Sequence, residues 1–84
     1  MPDNHYKTSD TTLASYLICN GFIPTRIDYS QPRYEYSFVG NSAQLEKLTA
    51  TFITGQGKVD PVIFARINRK LLRILNRQIQ WGED

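Results

Sequence analysis

Apolar and polar residues alternate with two distinct periods along the chain, and the switches between them mark its elements. From Asp10 to Phe22, Leu13 and Leu17 with their neighbours Ala14 and Ile18 recur at helical spacing behind an aspartate suited to cap the first turn. Asn20-Gly21 follows, a pair able to take positive φ, and Phe22 is placed to fold back on the helix end as in a Schellman stop. Upstream, His5-Tyr6-Lys7-Thr8 has the composition of a brief strand.

After Phe22 the period becomes two. Ile23, Thr25, Ile27 and Tyr29 are expected on one face of a strand, with Pro24, Arg26 and Asp28 on the other. Pro24 near the start of that run suits an edge or a first strand residue. Ser30-Gln31-Pro32-Arg33 reads as a turn, and Tyr34, Tyr36 and Phe38 then alternate with Glu35, Ser37 and Val39 up to Gly40. The two runs predict an antiparallel hairpin.

Asn41 with Gln44 three residues on forms a capping-box pattern, and Leu45, Leu48, Phe52 and Ile53 follow on one helical face to about Thr54. Gly55-Gln56-Gly57-Lys58 interrupts it. Asp60-Pro61 then starts a last helix, with an acidic cap, proline at the first position and Val59 and Phe64 as a hydrophobic staple. This helix is expected to reach about Gln80, some 30 Å at ~1.5 Å per residue. The order β-α-β-β-α-α describes a single α+β domain over residues 1–84: a small antiparallel sheet with three helices packed on one face.

With the elements placed, Tyr6-Lys7-Thr8-Ser9-Asp10, Leu13-Ala14-Ser15-Tyr16-Leu17, Gly21-Phe22, Tyr36-Ser37-Phe38 and Val59-Asp60-Pro61 with Phe64 carry a likeness across most of the chain. In these residues it resembles a family of small bacterial and phage proteins catalogued as domain of unknown function 5659. The resemblance implies a free-standing cytoplasmic domain, carried by mobile elements and without an assigned activity. Its matching positions are caps, turn glycines and apolar residues, so it transfers a fold and no functional residue.

Composition narrows the function classes. With 84 residues the chain buries a modest core, and 40% apolar with 21% charged residues is a globular balance. One cysteine excludes a disulfide framework and a thiolate zinc cluster and makes the reducing cytoplasm the expected compartment. Met1-Pro2-Asp3-Asn4-His5 lacks the basic-then-apolar order of a signal peptide, and no apolar run approaches the ~18–20 residues of a membrane span. No cofactor is expected.

Candidates for catalysis are few. His5 is the only histidine, with no second ligand or base near it in sequence. Cys19 sits beside Leu17 and Ile18 as a small hydrophobe, and Asp10 and Asp60 are explained as caps. Gly55-Gln56-Gly57-Lys58 lacks the preceding strand and the Gly-Lys-Ser/Thr ending of a phosphate loop. A non-enzymatic protein is expected. The row Tyr34, Tyr36, Phe38 could stack nucleic-acid bases, but three helices need a surface to cover, and core packing is the stronger reading.

The last helix is the informative one. At about 100° per residue, Arg66, Arg69, Lys70, Arg73 and Arg77 fall within a roughly 100° arc opposite Ile63, Phe64, Ile67, Leu71, Ile74 and Leu75. No Asp or Glu lies between Pro61 and Gln80, so the i,i+4 pairs that neutralise a solvated helix are absent. Arginine also favours bidentate recognition of phosphate or carboxylate. The expected function is therefore an accessory or regulatory protein, phage or mobile-element associated, docking this helix on nucleic acid. The alternative is an interaction module or phage-type inhibitor meeting an acidic protein surface; a plain solvated basic face is the bland competitor at a net charge of only +2. The apolar arc, widened by Leu72 and Ile79, further suggests a homodimer with Leu72, Leu75, Ile79 and Trp81 in its interface.

Overall fold

A computed structural model describes residues 5–84, the side chain of Ser42 apart; residues 1–4, on which the signal-peptide reading partly rests, lie outside the described residues. The elements follow in the expected order: β1 (His5–Thr8), α1 (Thr11–Cys19), β2 (Pro24–Asp28), β3 (Glu35–Val39), α2 (Ser42–Ile53) and α3 (Pro61–Arg77).

All three helices begin where a side chain can take over an orphaned backbone N–H. Asp10 Oδ1 accepts from the Leu13 N–H at 3.1 Å, Asn41 Oδ1 from Gln44 at 3.2 Å, and Asp60 Oδ1 from Val62 at 2.8 Å and Ile63 at 3.4 Å. Helix α1 ends in the Schellman pattern. Gly21 takes φ +94°, its N–H bonds the Ile18 carbonyl, and the Phe22 N–H bonds that of Leu17.

The sheet is antiparallel in the order β1-β3-β2, so the hairpin pairs β2 with β3 and the first strand closes the other side. Tyr6, Phe38 and Pro24 lie opposite one another, as do Thr8, Tyr36 and Ile27. These residues face the helices: Tyr36, Phe38 and Ile27 are fully buried. On the other face, Lys7, Ser37 and Arg26 lie in register, with Lys7 and Arg26 exposed.

The alternation expected for β2 is corrected by a bulge. Thr25 is an extra residue between the pairs Pro24–Phe38 and Arg26–Ser37. Two residues there oppose one, the pleat changes phase, and Pro24 takes the inward place while Ile23 is left 51% exposed. Thr25 turns its hydroxyl to the Ser37 carbonyl instead.

Helix α1 is central, touching α3, α2 and β1. All six residues from Leu13 to Ile18 are buried, more than the four read from periodicity, because a nine-residue helix without a single charge can be covered on every side. Ser15 within it donates to Asn68 Oδ1 of α3 at 3.1 Å, so this buried serine hydroxyl is satisfied. Tyr16 packs against Phe52, ring centres 5.3 Å apart, and Gly57 lies so close to the Tyr16 ring that a Cβ there would come within 2.9 Å. The 55–58 break therefore bends the chain and also makes room for an aromatic ring.

Two further expectations change at helix ends. Ile53, read as a member of the inner face of α2, is 73% exposed, since Leu45 is buried and Leu48 and Phe52 half-buried while the last turn overhangs the core. Helix α3 stops at Arg77 rather than Gln80. Gln78 adopts a left-handed conformation (φ 55°, ψ 44°), and the Ile79 N–H closes on the Ile74 carbonyl. The chain then turns back across the edge of β2, where the Gln80 carboxamide accepts from the Ile27 N–H (2.6 Å) and donates to the Ile27 carbonyl (2.9 Å). A side chain thereby occupies the place of a fourth strand. Tyr29 completes the closure, its hydroxyl donating to the carbonyls of Ile79 (2.6 Å) and Ile74 (3.2 Å).

Candidate functional site

Helix α3 is held by its inner side. Leu71, Ile74 and Leu75 are buried and Phe64 and Ile67 half-buried, which fixes the rotation of the helix about its axis. That rotation carries Arg66, Arg69, Arg73 and Arg77 to the outside, all four exposed. From Arg66 to Arg77 the row runs about 16 Å at ~1.5 Å per residue. No acidic residue stands within the helix, and among the described residues no ion pair engages these four arginines. Their charges are thus unneutralised by acidic neighbours within the helix, and only Arg77, in the last turn, meets the negative end of the helix dipole.

Lys70 behaves differently. It is half-buried, with Nζ 4.4 Å from the centre of the Trp81 ring, so its charge is spent on holding the returning tail by a cation–π contact. The surface read as a dimer interface is also mostly used within the chain. Leu75 is buried, and Ile79 and Trp81 pack partly buried against the core because Gln78 reverses the chain; Leu72 alone of that set is exposed, at 45%.

Two apolar residues on α3 also differ from the periodic reading. Ile63, expected inside, is 46% exposed, since it lies at the margin of the arc in the first turn. Val62 is 64% exposed and lies in the same angular arc as the arginines, one turn before Arg66, by helical geometry. The row is therefore cationic with an apolar spot near its start.

The aromatic residues of β3 form no platform. Tyr36 and Phe38 are fully buried, and Tyr34 is half-buried edge-on against Tyr29, ring centres 4.9 Å apart. Tyr36 donates or accepts one hydrogen bond with the Thr11 hydroxyl at 2.7 Å, and burial pushes its phenol above the ordinary tyrosine range, as it does for Tyr29.

An open cleft of about 310 Å³ lies between the start of α1 and the turn before β3, lined by Ser9, Asp10, Thr11, Pro32, Arg33, Tyr34 and Tyr36. Its one carboxylate, Asp10, is the α1 cap, and its two innermost hydroxyls bond each other. Burial raises the pKa of the half-buried Cys19, which disfavours the nucleophilic thiolate. Among the described residues, no three His, Cys, Asp or Glu side chains gather into a metal-binding group, and no helix is long and apolar enough to cross a membrane.

No family model, no curated protein and no solved structure matches this chain.

Proposed function

We propose that this is a non-enzymatic accessory or regulatory domain whose α3 docks on nucleic acid. The observation that carries the reading is the row of four exposed arginines on a rigidly seated helix, with neither an acid in the helix nor an ion pair to neutralise them among the described residues. Such a row repels itself, and phosphates offset that repulsion while releasing counterions from the nucleic acid. Lys70 belongs to the same arc but serves the tail, leaving Arg66, Arg69, Arg73 and Arg77 as the contact set.

The test reverses Arg69→Glu and Arg73→Glu together. Both side chains are exposed, so the fold should persist by circular dichroism while electrophoretic retention of nucleic acid at low salt is lost. Equal retention by the wild type and the double variant would refute the reading.

A second reading has its own observation. Val62, Ile63 and Leu72 are exposed on the same helix, and arginine beside apolar side chains is also the make-up of a protein interface, with an acidic surface as its complement. A complex pulled down from host lysate that survives nuclease treatment would favour it. Self-association through Leu72 is a variant of this reading, checked by light scattering against the 9.7 kDa monomer mass.

A further inference from the structure

Resting on the nucleic-acid reading, we infer that the ligand of α3 is duplex DNA, gripped by its phosphates with the helix seated in the major groove, and not an unpaired strand. Proteins that hold single strands present aromatic rings on which successive bases stack. This chain has five Tyr, four Phe and one Trp, and every one is buried or half-buried. Of the two aromatic residues flanking the arginine row in sequence, Phe64 packs half-buried against the core and Trp81 has Lys70 over its ring face. A single strand laid on α3 would find charge and no stacking surface.

The shape of the helix agrees with a groove. Only Leu71, Ile74 and Leu75 of α3 are buried, and exposed residues run from Leu72 through Arg69, Arg73 and Arg66 to Ile63, about half of the circumference by helical geometry. A helix with side chains is about 10–12 Å across, and the B-form major groove is about 12 Å wide, whereas the A-form groove of RNA is too deep and narrow for side chains to read. Arg66, Arg69, Arg73 and Arg77 recur about once per helical turn on one side of the helix, so the row can follow the phosphates along one wall of the groove. Phosphate contacts carry no sequence information, so the grip is tolerant of sequence.

The experiment measures anisotropy of fluorescent probes of equal length, namely mixed-sequence duplex DNA, duplex RNA and oligo-deoxythymidine, with the full chain over a range of salt. Duplex DNA is expected to bind several-fold tighter than either other probe. Its log–log salt slope should be near −3.6 for four phosphates, and Arg73→Ala should flatten it by about 0.9. Oligo-deoxythymidine binding as tightly as duplex DNA would overturn the inference while leaving nucleic-acid binding standing. Equal affinity for duplex RNA would overturn the groove seating. No binding to any probe at the lowest salt would remove the underlying function and the inference with it.

Discussion

Replacing Gln80 by alanine isolates the contact that closes the fold. The Gln80 carboxamide is the partner of both backbone groups of Ile27, at 2.6 and 2.9 Å, and Ile27 itself is 1% exposed. Each hydrogen bond contributes about 0.5–1.5 kcal/mol net, and a backbone group left without a partner away from water costs about 1–3 kcal/mol. Because Ile27 lies on an edge strand, water can recover part of that loss, and a destabilisation of about 2–3 kcal/mol follows. Against a total of roughly 4–13 kcal/mol for a chain of this length, that is a large share. At about 4–8 °C per kcal/mol, Tm should fall by some 10–20 °C in a thermal melt followed by circular dichroism. Amide hydrogen exchange supplies the local readout: protection of the Ile27 N–H should collapse first, since its bond is to the Gln80 side chain. Gln80→Glu sharpens the case. The carboxylate can still accept from the Ile27 N–H but faces the Ile27 carbonyl, which raises its folded-state pKa, so stability should be greater at low pH and fall as pH rises through the carboxylate range. An unchanged Tm together with unchanged Ile27 protection in Gln80→Ala would refute the edge-closing role.

Phe38→Ala should destabilise the domain by about 3–5 kcal/mol in urea unfolding, because the ring is fully buried beneath the helices. Asp60→Ala should cost about 1 kcal/mol through the lost cap of α3 and leave nucleic-acid retention unchanged, which a melt and a gel-shift assay check side by side. Burial raises the pKa of Tyr36 and Tyr29 above 10.0; the folded state therefore holds their protons more tightly, and the stability this represents is complete below that pH and lost above it. In alkaline unfolding followed by circular dichroism, Tyr36→Phe should move the transition to higher pH; an unchanged midpoint would contradict this.

How much of the fold could be read from the chain follows the range of each interaction. Asp10, Asn41 and Asp60 declare their helix starts because a cap reaches only two or three residues forward, and Asn20-Gly21 declares an end because positive φ is a property of one residue. The arginine face was legible for the same reason: helical period alone puts Arg66, Arg69, Arg73 and Arg77 together. What periodicity could not see was contact across the chain. The bulge at Thr25, which expels Ile23 and admits Pro24, is decided by pairing with β3, and the exposure of Ile53 and Ile63 by where the core ends. The Trp81 face over Lys70 and the Gln80 amide on Ile27 depend on a reversal at Gln78, a residue type with no local preference for positive φ. Those side chains meet partners up to 53 residues away, and only a folded core brings them within bonding distance. Local chemistry set the elements and the charge of α3; tertiary packing decided which of its cations stay free and which residue seals the sheet.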